Sequence, residues 1–333
     1  MKKRSLLVLV SAIALIGCGT NQQSSNKPIE SSNEPESVES DKSSSEATPS
    51  SESSAKDPES SSSQDQTPSD SSSAQQSGDF NGVLDYLSKK DTSKPLNITA
   101  TNNSSFTNQN GVITFSATDE YTISGYFKGQ IIVSAADTTI VLNDAYIESE
   151  RQIAISYTHD EKDTELCVKA KNGTENFVIS TGADATINSV RELSFDGKGT
   201  LTVVGDKKHG VKAKTIKSKG EGTFYFQGST DGSALNCNKY KHKVDVGGSV
   251  YLLNSKNGIK ADEYADINSG NYYLYNLATG IKTDVDPYDD DGVTPVDRYI
   301  TIGEQVVMNF KNVSTQFTTI EGKLTNTGKV NVL

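Results

Sequence analysis

No tryptophan occurs in the 333 residues, and the chain has only three cysteines, three histidines and two methionines. So few cysteines exclude a disulfide framework, and histidine is too scarce for a His-rich metal site. The Gly-x-Ser-x-Gly, His-Glu-x-x-His and phosphate-loop patterns are absent. That removes the serine hydrolases, the common zinc peptidases and the P-loop nucleotide hydrolases from consideration. Beyond residue 78 the only arginines are Arg151, Arg191 and Arg298. Net charge is −11, so the chain has no basic footprint for nucleic acid. A single long apolar run, residues 6–16 broken only by Ser11, is too short to span a bilayer comfortably.

That run belongs to a targeting segment. Lys2, Lys3 and Arg4 precede it, and Leu15-Ile16-Gly17-Cys18 closes it. A basic start, a short apolar stretch and a small residue before cysteine resemble a secretory signal with a lipobox, covering residues 1–18, with an ordinary cleaved signal or a membrane anchor as the alternative. Cys18 is the expected lipidation site and the mature N-terminus. Residues 19–78 are Ser, Glu, Asp, Gln and Pro, with eleven acidic side chains against Lys27, Lys42 and Lys56. Such a segment buries too little to offset its ordering entropy, so a disordered linker is expected, with a reach on the order of 40 Å. Residues 79–333 then form one folded domain with a mild charge of about −6, on the extracellular face of a bacterial cell membrane. The lipid is its only membrane contact.

Two cadences run through the domain's second half. One reads Gly210-Val211-Lys212-Ala213, Gly232-Ser233-Ala234-Leu235, Gly258-Ile259-Lys260-Ala261 and Gly280-Ile281-Lys282-Thr283, at spacings of 22, 26 and 22 residues. The other places Gly199, Gly222, Gly248 and Gly270 ahead of short β-rich runs. Two short strands per repeat of about 22 residues predict a solenoid in which each repeat buries its neighbours. The fold expected is all-β, a right-handed parallel β-helix following the disordered linker. Residues 80–87 show weak helical spacing and are expected to cap the first coil. Strands after Tyr299 are expected to close the other end.

Alternation then assigns faces. Phe224, Phe226, Val250, Leu252, Tyr272 and Leu274 point inward, which turns Tyr225, Tyr251 and Tyr273 outward in a stack. Val211, Ile259 and Ile281 point inward, Lys212, Lys260 and Lys282 outward. Two residues further on, Lys214, Asn236, Asp262 and Asp284 share an outward row. Cys167 and Cys237 lie 70 residues apart. If they shared a column they would be separated by about 14 Å, too far for a disulfide, so both are expected as free thiols.

Asp262 and Asp284 on adjacent coils would sit about 5 Å apart, a spacing that raises one pKa or binds a cation. Lys260 and Lys282 beside them offer a plain salt-bridge ladder instead. Hard oxygen donors without histidine or cysteine favour Ca²⁺. Asp231, Asn236 and Asn257 add oxygens, and the run from Asp284 through Asp286, Asp289 and Asp291 to Gly292 offers either a second calcium loop or a solvated turn. The outward tyrosines offer ring faces to sugars or a sheet-stabilising ladder. The lack of tryptophan counts against a platform for crystalline polysaccharide. His159, His209 and His242 have no companion motif and are expected at the surface.

From Gly111 to about Asp284 the chain resembles the β-helical carbohydrate-binding domain family of secreted bacterial proteins. The resemblance is carried by Tyr121-Thr122-Ile123-Ser124-Gly125, Gly129-Gln130-Ile131-Ile132-Val133 and Ile140-Val141-Leu142-Asn143-Asp144, followed by Gly173-Thr174-Glu175-Asn176 and Gly258-Ile259-Lys260-Ala261-Asp262. It implies binding of cellulose or acidic sugars without catalysis, and a fold shared with calcium-dependent polysaccharide lyases. The family repeat reads Asp-Gly-Ile-Lys; here the leading position is Asp231, Asn257, Thr279 and His209. The metal residues carried over are therefore only Asp231, Asp262 and Asp284.

The expected function is calcium-supported binding of a polysaccharide (cellulose, pectate or a cell-wall glycan) by a monomer that engages no nucleic acid. Lys260, Lys282 and the three tyrosines are the candidate sugar contacts. Two alternatives stand beside it: a calcium-dependent polysaccharide lyase, and an adhesin or wall scaffold with a protein partner.

Overall fold

A computed structural model describes residues 80–242, 248–288 and 292–333. The signal, Cys18 and the linker lie outside them. The described residues hold twenty strands and no helix, all joined by hydrogen bonds into one sheet.

Almost every pairing is parallel, and the pairs chain into three ladders. The first climbs from Val112–Phe115 through 130–133, 155–157, 185–189, 209–213 and 233–237 to 257–261. The second runs from 120–123 through 138–142, 165–170, 192–197, 215–218, 239–242, 264–267 and 299–302 to Leu324–Asn326. The third runs from 125–128 through 145–149, 175–180, 200–205, 223–227, 249–253, 271–275 and 305–311 to Lys329–Val332. Each rung thus contributes one short strand to each ladder. Parallel strands cannot be joined by tight hairpins, which is why neighbours in a ladder lie a full repeat apart in sequence. Only the first rung departs from this rule. There Asn97–Ala100 and Phe106–Gln109 add antiparallel strands, the latter through an Asn110-Gly111 turn with φ of 52° and 74°. Both residues of a type I′ turn need positive φ, which Asn-Gly supplies cheaply.

The inward column of each ladder builds one continuous core. Val203, Phe226, Leu252, Leu274 and Phe310 stack in register, and so do Val211, Leu235 and Ile259; all are fully buried. Cys167 and Cys237 are buried free thiols. At the corners the chain bends through residues at left-handed φ, Asn254 (47°), Asn276 (57°) and Asn312 (55°). Asparagine tolerates that region better than most side chains. The three amides also bond rung to rung, Asn276 Nδ2 to Asn254 Oδ1 at 2.8 Å and Asn312 Nδ2 to Asn276 Oδ1 at 3.1 Å.

The structure corrects two expectations. Residues 80–87 form no helix and do not cap the first coil. Eight residues are too few to sustain a helix alone, and Phe80, Leu84 and Tyr86 find partners on the outer face of the third ladder instead. The second correction concerns register. Val211 pairs with Leu235 and Leu235 with Ile259, so Ala234, not Gly232, stands where Gly210 and Gly258 stand. A core position demanding a large aliphatic side chain selects Leu235. Gly232 belongs to the preceding turn, where a Cβ would lie 1.7 Å from the Lys208 carbonyl. With Ala234 in place, the uneven steps of 22 and 26 become two steps of 24 residues.

Truncating Ile259 to alanine removes a stacked core side chain and should cost about 2–5 kcal/mol. For a domain of this size that is a loss of roughly 5–15 °C in Tm, read by calorimetry. An unchanged Tm would refute the stacked core.

Candidate functional site

The outer face of the first ladder carries two rows. One is Asn188, Lys212, Asn236 and Lys260, paired rung to rung, with Lys282 one rung further. The other holds Asp262 and Asp284, whose backbones are joined by the Asp284 N–H donating to the Asp262 carbonyl at 3.4 Å. Asn236 falls in the lysine row rather than the acidic one, a consequence of the register change. Asn238 is brought beside Asp262 in its place, in a cavity of about 410 Å³ that also includes Glu263, Asp284, Asp297 and Arg298.

Every carboxylate in that cavity has a cation. Asp262 meets Lys260 at 2.8 Å, Glu263 meets Lys239 at 3.0 Å, Asp297 meets Lys323 at 2.9 Å and Asp284 meets Arg298 at 3.1 Å. Arg298, which belongs to none of the sequence repeats, is only 6% exposed and is held at three points. Its Nη1 donates to the Asp262 carbonyl (2.6 Å) and to Asp284 Oδ2, and its Nη2 donates to the Tyr288 carbonyl (2.7 Å). Buried charge of this kind persists only when paired and hydrogen-bonded. Burial lowers the Lys260 pKa, but the Asp262 hydrogen bond and the charges of Asp262 and Asp284 outweigh it, so the net shift is upward.

This donor set does not fit the calcium implied by the resemblance. The two column carboxylates are already neutralised, and Arg298 occupies the oxygens that a hard cation would take. No cluster of three or more His, Cys, Asp or Glu in metal-holding geometry occurs among the described residues. Asp231 is exposed on the turn before Ser233–His242, seven positions ahead of Asn238, and so is not gathered with Asp262. The Asp286 carboxylate caps its own turn, accepting from the Tyr288 N–H at 3.0 Å. Asp289 and Asp291 lie outside the described residues.

Tyr225, Tyr251 and Tyr273 align as read from the alternation, at the same position of successive rungs. Their rings stack on one another at 4.5 Å, with interplanar angles of 21° and 11°. Faces used this way are not free for a sugar; edges and hydroxyls remain. Residues 80–94 cross this face as a strap. Phe80 packs at 5.4–6.0 Å from Tyr251, Tyr225 and Tyr275. Leu84 joins two outer apolar clusters, and the Gly82 carbonyl accepts from Asn254 Nδ2 at 2.8 Å. Lys89 and Lys90 fasten the strap to Glu175 and Glu148 at 2.9 and 2.8 Å. Tyr251 is 7% exposed, and burial raises its pKa. The strap was invisible to sequence reasoning, because Phe80 and Tyr251 lie 171 positions apart and share no period.

A second aromatic stack was also missed. Tyr264 and Tyr299 lie on the outer face of the second ladder, centroids 5.0 Å apart and planes 4° apart. Lys239 and Lys241 stand 5.8 and 5.9 Å from the Tyr264 centroid. Tyr264 two residues after Asp262 was the available signal. Upstream on that ladder Glu165 pairs in register with Glu192, braced by Lys217, Lys219 and Ser194. Burial raises both carboxyl groups of this pair. The hydrogen bond shared with Glu192, and then those from Ser194 and Lys219, bring Glu165 below its usual range, while the shared bond keeps Glu192 above.

His209 is buried, where a surface position was expected; its Nδ1 accepts from the Ser233 N–H at 3.1 Å. His159 is half-buried beside Glu161 at 3.3 Å. Burial lowers the His209 pKa to about 4; Asp184 opposes this, and Lys208, Lys212 and Lys260 add to it. His242 has no described side chain.

Residues 109–238 match the model of a family described as carbohydrate-binding domain-containing proteins. The match runs from the end of Phe106–Gln109 to the middle of Ser233–His242, so the similarity to that family lies within the ladders and covers less than half of the chain. No curated protein and no solved structure matches the chain.

Two outcomes follow. The folded His209 pKa lies below the unfolded value of about 6.5, so its contribution is complete above pH 6.5 and is lost as pH falls toward 4. Over that window His209→Gln should lose less stability than the wild type, by up to about 3 kcal/mol in urea titrations; parallel curves would refute it. Phe80→Ala should loosen the strap, increasing binding of an apolar dye and lowering Tm by a few degrees; Phe80 is only partly buried, so the cost falls below the about 3–5 kcal/mol of a core aromatic truncation.

Proposed function

We propose that the chain is a lipid-anchored protein of the bacterial cell surface that binds polysaccharide without turning it over. Its domain is read as a right-handed parallel β-helix, and the outer face of its first ladder as the binding surface. The match of residues 109–238 to a carbohydrate-binding family is the observation that carries this reading. The face supports it chemically. Lys212, Asn236, Lys260 and Lys282 repeat at about one strand spacing, so a linear polymer laid along the ladder meets a donor at each rung. Asn238 and the paired carboxylates beside that row accept hydrogen bonds from hydroxyls.

Binding is favoured over lyase chemistry by Lys260 itself. A lysine acting as proton acceptor needs its pKa lowered toward neutrality, and Lys260 is shifted the other way by Asp262. The lipid anchor is supported by residues 1–18 and the reach of the linker by residues 19–78.

Full-length protein should be retained on at least one of cellulose, pectate and the producing cell's wall polymer. The triple variant Lys212→Gln, Lys260→Gln, Lys282→Gln should weaken that retention at least about tenfold, the loss of one or two charge-assisted hydrogen bonds. Retention on none of the three would sink the proposal. A rise in absorbance from an unsaturated product on polygalacturonate would replace it with the lyase, and capture of a protein partner resistant to sugar competition with the adhesin.

A further inference from the structure

Calcium is the cation that the acidic column invites, and a different cation is already there. We infer that Arg298 is the built-in counter-ion of the Asp262 and Asp284 rungs, so that this face holds its shape without metal. Three oxygens converge on one guanidinium: the Asp262 carbonyl, Asp284 Oδ2 and the Tyr288 carbonyl, at 2.6, 3.1 and 2.7 Å. They come from two successive rungs and the loop that follows. A backbone carbonyl, a carboxylate and a second carbonyl are the donors that Ca²⁺ takes in proteins. Here the planar fork of arginine bonds them instead, with a charge that no accessible pH removes.

The surroundings agree with that assignment. Asp262 spends its carboxylate on Lys260, while Glu263 and Asp297 spend theirs on Lys239 and Lys323. Among the described residues, no carboxylate that lines the cavity is left without a cation to draw a dication. A Ca²⁺ entering beside the guanidinium would meet a like charge held in place by three hydrogen bonds. Arg298 lies fourteen positions beyond Asp284, past the loop that Tyr288 begins to close. Its burial at 6% exposure makes it part of the wall and not a surface side chain that could swing aside. The inference rests on this geometry alone and holds whichever polymer the face binds.

Thermal melting of the full chain in calcium chloride and in EGTA tests it, with wild type, Asp284→Asn and Arg298→Ser side by side. The Tm difference between the two buffers should be the same for wild type and Asp284→Asn, because the Asp284 carboxylate holds no metal. Arg298→Ser frees three oxygens and should gain a calcium-dependent rise on the order of 5 °C at a hundredfold excess over Kd. A wild-type calcium response that shrinks in Asp284→Asn overturns the inference, and so does a folded Arg298→Ser with no calcium response. Should Arg298→Ser fail to fold in both buffers, the Asp284→Asn comparison decides alone.

Discussion

The parallel ladder is the constraint on which everything else depends. Each strand must match its hydrogen bonds to the strand one repeat away, at a spacing near 4.8 Å, and its side chains must alternate between core and solvent. A slip of one residue would turn Leu235 or Ile259 outward and bury a lysine, so the apolar column pins the register. Once pinned, the register dictates the exterior as strictly as the interior. The lysine row, the acidic pair and the tyrosine stack are each the outward copy of an inward column.

That coupling explains how a long face can be built from modest parts. No single residue of the outward lysine and asparagine row is chemically unusual, yet repetition aligns donors along a line. It also explains why one tyrosine stack is covered. An outward aromatic column is a large apolar strip, and such strips are normally shielded in soluble domains. Residues 80–94 shield this one, using Phe80 and Leu84 as anchors and Lys89 and Lys90 as fasteners. The face left open is the one lined with lysine, asparagine and paired carboxylates.

Much of this was legible in the residues. The alternation around Phe224, Val250 and Tyr272 assigned inward and outward sides correctly, and the matching of Tyr225, Tyr251 and Tyr273 followed. Cys167 and Cys237 are free thiols as expected, but not by the shared column that the spacing assumed: Cys167 stands on the second ladder and Cys237 on the first. The second repeat misled because a glycine looked like the mark of register, when a large aliphatic side chain sets it: Gly232 serves a turn and Leu235 fills the core. His209 misled for a related reason. A lone histidine carries no periodic signal, and only the fold brings the Ser233 amide to its Nδ1.

Composition and period, then, determined the all-β repeat, the inward and outward columns and the presence of an acidic pair beside lysines. These are local properties, repeated every rung, and a repeat can be read from the residues that make it. Tertiary structure alone decided which row Asn236 joins, that the tyrosine faces are spent on one another beneath Phe80, and that Arg298 reaches Asp262 and Asp284. Each of those depends on segments that meet only when the chain has wound back on itself, and a contact across such a distance leaves no period in the sequence.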